Sequence, residues 1–148
     1  ESFATPKNMP EKICTYCEKT GQGKPESDGA MIRCIYESLA LKYRYAIEQL
    51  SAVTGRTFTT LHVLGGGTKD RLLCQMTADC CGLTVKAGPV EATALGNIMI
   101  QLKALGLLDS ITQGRRLVAE TEVIKTYTPS TQNYAEWNAA YDRFKPLL

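Results

Sequence analysis

Three consecutive glycines in Gly65-Gly66-Gly67-Thr68-Lys69-Asp70 separate a strand-like segment from a helix-like one, and no other stretch constrains the fold as much. Before them, Thr60-Leu61-His62-Val63-Leu64 alternates polar and apolar residues, which sets Leu61 and Val63 on one side of a strand. After them, Leu72, Leu73, Met76 and Cys80 recur at helical spacing until Gly82 supplies a stop. A glycine turn at the carboxyl end of a strand lets backbone approach a ligand that a β-carbon would repel. The helix that follows offers free N–H groups and the favourable end of its dipole to negative charge. This pattern predicts a nucleotide or phosphoanion site at the carboxyl edge of a sheet. For three glycines alone, a tight turn without any ligand fits equally well.

A second block adds weight to the ligand reading. Leu83-Thr84-Val85-Lys86 patterns as another strand, and Ala87-Gly88-Pro89-Val90-Glu91-Ala92-Thr93-Ala94-Leu95-Gly96-Asn97 opens a further helix. Pro89 is expected in that helix's first turn, and Ala92 with Gly96 to form a small-residue packing face. Taken together, LHVLGGGTKDRLLCQMTADCCGLTVKAGPVEATALGN resembles the C-terminal domain of the FGGY carbohydrate kinases. The resemblance continues upstream through YCEKTGQGKPESDGAMIRCIYESLALKYR and covers the chain from about Met9 to about Pro129. Within the family, the TGQ near Gly21, RCIYESLALKYR and AGPVEATALGN look most like the rhamnulokinase branch.

The resemblance implies an α/β fold of the ribonuclease H-like, actin-like ATPase class, incomplete here, with parallel strands joined by helical crossovers. The family's kinases are much longer, with two domains around a cleft. At 148 residues the chain has the length of one domain with a real core. It starts at Glu1 in a stretch resembling the middle of the second domain. The expectation is therefore that residues 1–148 are a partial C-terminal domain, with 130–148 its helical extension.

On that basis the parent protein is expected to be an ATP-dependent sugar kinase using Mg2+. It would transfer the γ-phosphoryl of ATP to the 1-hydroxyl of L-rhamnulose, with a cleft aspartate as base, in rhamnose catabolism. No residue of this chain matches that base, so no catalytic residue and no metal ligand is expected here. The chain would supply the adenosine side of the nucleotide site through Gly65, Gly66, Gly67 and Asp70, with Gly66 as the direct contact. The family usually carries Asn where this chain has Asp70; an ionised Asp accepts hydrogen bonds but cannot donate. Another ketose or polyol kinase of the family, such as a fuculokinase or xylulokinase, remains an alternative. So does a non-catalytic nucleotide-binding scaffold of the same fold.

Composition bounds the partners. A net charge of +2 with 22% charged residues gives no nucleic-acid footprint and no basic membrane patch. The expected partners are a nucleotide and a ketose sugar, with no nucleic acid and no membrane, in the cytoplasm.

Of the six cysteines, Cys14 and Cys17 form a Cys-x-x-Cys pair that lacks the second pair or the histidines a zinc site wants. Cys74, Cys80 and Cys81 are expected to pack as small hydrophobes. Cys17 and Cys34 flank the turn-rich segment Gly21 to Gly29 and would meet if their helices fold back, although cytosolic redox poise opposes a constitutive disulfide.

The remaining elements follow from pattern. A short helix spans about Glu11 to Lys19 after an irregular start through Pro10. A long helix from about Asp28 to Thr54 has the apolar stripe Ile32, Ile35, Tyr36, Leu39, Tyr43, Ala46, Leu50 and Val53, stopped by Gly55. Ser110 and Gln113 read as a capping box, Val123 to Thr128 as extended, and Tyr134, Trp137, Tyr141 and Phe144 as the core stripe of a last helix. Gly23-Lys24 lacks the upstream glycine of a P-loop. His62 reads as a sheet-surface or core residue, Glu91 and Asp109 as helix-start carboxylates, and Arg33–Glu37 as an i,i+4 ion pair.

Overall fold

The computed structural model describes residues 3, 4 and 7–148. Its helices are α1 (Met9–Lys19), α2 (Asp28–Thr54), α3 (Arg71–Cys81), α4 (Ala92–Ala104), α5 (Ile111–Thr121) and α6 (Tyr134–Phe144). Three strands, β1 (Thr60–Val63), β2 (Thr84–Ala87) and β3 (Lys125–Tyr127), form one sheet in that order. β1 and β2 run parallel, with Leu61 beside Val85 and Val63 beside Ala87, and β3 returns antiparallel with Tyr127 beside Val85. The first two strands and α3 make a β–α–β crossover, as the strand–turn–helix–strand pattern requires.

Helix α3 is the spine of the molecule. On one side Cys74 and Ala78 pack against Val85 and Ala87 of the sheet, with Leu61, Val63 and Tyr127 around them. On the other, Met76 and Cys80 pack against Ala40 and Leu41 of α2 and Tyr141 of α6. A helix covered on both faces tolerates polar groups only where they are paired. Buried Asp79 accepts from Gln75 Nε2 and from the Ser130 backbone N–H, both at 2.8 Å. Buried Thr77 donates to the Leu73 carbonyl at 2.7 Å.

The helix ends follow their sequence signals. Ser27 caps α2 by accepting from Ala30 N–H, and Gly55 closes it in the left-handed region at φ 65°. Gly82 closes α3 in the same way at φ 64°. Ser110 accepts from Gln113 N–H, and the Gln113 side chain returns to the Asp109 N–H at 2.7 Å. Glu91 stands at the start of α4 without a side-chain cap. Asp109 lies just before α5, where the Ser110 and Gln113 side chains supply the capping hydrogen bonds. Arg33 and Glu37 pair at 2.7 Å.

Several expectations are corrected. α1 begins at Met9, because Pro10 fits a first turn that needs no N–H from it. α4 begins at Ala92, and Pro89 lies before it in a loop, after a cis Gly88–Pro89 bond. The stripe on α2 is not its buried face. Ala40 and Leu41 are buried, whereas Leu50 is 50% and Val53 85% exposed. The small side chain of Ala40 lets α3 approach closely, and of the stripe only Tyr36 packs against that core. Leu72, at 56% exposure, likewise faces away from the packing of α3. Gly96 has no close neighbour; the tight approach is at Gly114 of α5, where an added β-carbon would lie 2.8 Å from Met99 Sδ. Among the described residues, no helix is long and apolar enough to cross a membrane.

Candidate functional site

The glycine stretch leaves β1 and folds into a 3-10 turn, Gly66–Lys69, that leads directly into α3. Gly65 adopts φ 80°, a left-handed backbone in which a side chain is strained. Its carbonyl accepts from Thr68 Oγ1 at 2.7 Å, and Thr68 is buried beneath the turn. Its N–H donates to the Pro89 carbonyl at 3.1 Å, while Gly88 N–H reaches the Val63 carbonyl at 2.9 Å. The two sequence blocks are thus held side by side at the carboxyl ends of β1 and β2. That is where ligands of open α/β sheets bind.

Gly66 and Gly67 differ from Gly65. A β-carbon built on either meets no atom within 4 Å, and neither has a positive φ. The chain's own packing does not demand glycine there, so the missing side chains leave room for something outside this fold. Gly67 also borders a cleft of about 340 Å3, lined by Leu61, Val63, Leu73 and Thr77 with Tyr43 and Ile47 of α2. The stripe expected on α2 contributes Tyr43 and Ala46 to this cleft, and Ile35 and Leu39 to another beside α1.

Asp70 is the N-cap of α3. Its Oδ1 accepts from Leu73 N–H at 3.0 Å, and Oδ2 accepts from the hydroxyl of Tyr36 on α2. The Leu73 N–H, followed by the Tyr36 hydroxyl, holds the carboxyl below its ordinary range, so it is ionised at neutral pH. Cys74 lies under the turn with its thiol 3.9 Å from the Gly67 carbonyl. Burial, then the Asp70 charge, raises its pKa, which suits packing and not nucleophilic chemistry. His62 is exposed on β1, opposite Lys86 in the parallel register.

Tyr36 and Pro89 were not identifiable as parts of this site. Tyr36 is 34 residues from Asp70, and no local spacing rule reaches across that distance. Cys17 and Cys34 do come together: both line the cleft beside α1, and after burial the neighbouring Cys34 helps raise the Cys17 pKa. Both are free thiols. Cys74 and Cys80 are buried as expected of small hydrophobes; Cys81 is half-buried.

The sequence profile of the FGGY family of carbohydrate kinases, C-terminal domain, matches residues 1–105. The chain belongs to that family. It is 47% identical over 145 residues to a rhamnulokinase of Bacteroides thetaiotaomicron, covering 98% of this chain and 30% of that protein. A rhamnulokinase of an Enterobacter species is 40% identical over 144 residues, 97% of this chain and 29% of its own length. The chain thus spans about 30% of the length of these FGGY relatives. Among solved structures, a xylulose kinase from Rhodospirillum rubrum superposes with a TM-score of 0.62 at 22% identity, over 86% of this chain and 25% of that one. This likeness establishes the fold: a part of the ribonuclease H-like, actin-like ATPase domain of FGGY kinases, as the sequence resemblance implied.

Proposed function

We propose that this chain is the adenosine-side portion of an ATP-dependent sugar kinase, a rhamnulokinase that converts L-rhamnulose to L-rhamnulose 1-phosphate in the cytoplasm. Its partial domain spans residues 1–148, with 130–148 as the C-terminal helical extension. The observation that carries the reading is the open surface over Gly66 and Gly67, where glycine is present without being required by the packing of the fold itself. A flat base or ribose can rest on such backbone, and the groups at the strand ends set its position. Gly65 and Asp70 contribute by shaping the turn, since both oxygens of Asp70 already accept hydrogen bonds.

ATP bound here would bring the transferable γ-phosphoryl group, and the residues of this chain would bind and orient the nucleotide. Among the described residues, no group of three or more His, Cys, Asp or Glu side chains is arranged to hold a metal. Magnesium binding and the catalytic base are left to the rest of the parent enzyme, as the family resemblance implied. The preference for L-rhamnulose over other ketoses rests on the similarity to rhamnulokinases; the likeness to a xylulose kinase bears on fold alone.

Gly66→Val tests the site in the complete enzyme. The fold has room for the new side chain, so it should protrude onto the nucleotide face and raise the KM for ATP at least about tenfold, the scale of one lost close contact region. The KM for L-rhamnulose should stay unchanged. An unaltered ATP requirement would remove the turn from the site.

A further inference from the structure

We infer that Tyr36 is a positioning residue for the nucleotide turn: from α2 it fixes the Asp70 carboxylate and thereby the shape of the 66–69 turn on which the nucleotide rests. The inference depends on the proposed nucleotide site and adds to it a residue from a distant element.

Its basis is how the turn is tied down. Glycine-rich backbone loses more conformational freedom on ordering than any other, so a turn of this kind holds its shape only if both ends are anchored. The first end is anchored by Gly65 N–H on the Pro89 carbonyl at 3.1 Å. At the other end Asp70 does three things. Its N–H closes the turn on the Gly67 carbonyl at 3.2 Å, its Oδ1 caps α3, and its Oδ2 takes the Tyr36 hydroxyl. The phenol is itself well held, because Tyr36 is half-buried against the core of Ala40, Leu41, Met76, Cys80 and Tyr141. The long helix therefore acts through one hydroxyl on the residue that joins the turn to α3.

The test uses steady-state kinetics of the complete enzyme with Tyr36→Phe, which keeps the ring and removes the hydroxyl. The KM for ATP should rise about fivefold, the scale of one hydrogen bond. The KM for L-rhamnulose and kcat should stay within about twofold, a split that general loosening of the fold would not produce. In an Asp70→Ala background, Tyr36→Phe should have no further effect on the ATP KM. An unchanged ATP KM in Tyr36→Phe, or additive effects of Tyr36→Phe and Asp70→Ala, overturns the positioning role. If Gly66→Val raises the ATP KM in the same assay, the nucleotide site survives that failure. If Gly66→Val is also silent, the nucleotide site and this role fall together.

Discussion

The hydroxyl of Tyr141 donates to Glu48 Oε2 at 2.6 Å, joining residues 93 positions apart and tying the last helix to the long one. Arg44 completes the arrangement: its Nε meets Glu48 Oε1 at 3.1 Å, its Nη1 donates to Asn138 at 2.8 Å, and its guanidinium lies 4.2 Å over the Tyr141 ring. α6 is thus docked by a charged and aromatic cluster as well as by apolar packing. Hydrogen bonds to charged groups are the stronger kind.

Tyr141→Phe should therefore destabilise the fold by about 1–2 kcal/mol, read from the urea midpoint. The wild type should also carry an alkaline signature. Burial, followed by the hydrogen bond to Glu48, raises the Tyr141 pKa. Its contribution is complete below the unfolded tyrosine value of about 10 and is lost as pH rises toward the folded value. Stability above about pH 10 should accordingly fall more steeply in wild type than in Tyr141→Phe. Parallel pH profiles would show that the bond is not sustained in solution.

Gly88→Ala should be severe. Gly88 has φ 133°, and an added β-carbon would lie 2.8 Å from the Val123 backbone carbonyl. A backbone neighbour cannot swing aside as a side-chain tip can. A loss of about 2–4 kcal/mol in denaturant unfolding is expected, from strain and overlap combined. Gly96→Ala, with open space around it, should be neutral or slightly stabilising through helix propensity. Equal effects at the two positions would contradict the packing described.

Cys17 and Cys34 should form a disulfide when the protein is treated with diamide, which accepts the two thiol hydrogens. Both line the same cleft beside α1, and their thiols are close enough for Cys34 to raise the Cys17 pKa. Non-reducing peptide mapping should show this pair before any involving Cys74, which is buried in the other core. Absence of the Cys17–Cys34 crosslink, with other pairs formed, would remove the pair from consideration.

The 148-residue chain alone should form no ADP from ATP in the presence of L-rhamnulose, because no side chain here is assigned as catalytic base. A coupled ADP assay on the purified chain decides this. Ketose-dependent turnover would require a base within the chain and would overturn the division of labour proposed above.

The local decisions were made by the sequence itself. Glycines at 55 and 82 stop helices because only they take the left-handed cap cheaply, and Ser110 with Gln113 starts one because their side chains satisfy free N–H groups. The alternation of Leu61, His62 and Val63 already assigned the faces of β1, since side chains on a strand alternate. The glycine turn between strand and helix was legible for the same reason: its chemistry is contained in neighbouring residues. Only tertiary structure decided which face of α2 is buried, because a stripe of apolar residues does not say which neighbour will meet it. Ala40 and Leu41 won that contact through the close approach of α3, leaving much of the stripe to line clefts. The joining of Gly65 to Pro89 and of Tyr36 to Asp70 was likewise invisible in the sequence. Hydrogen bonds between residues far apart in the chain have no periodicity; they exist only once packing has brought donor and acceptor together.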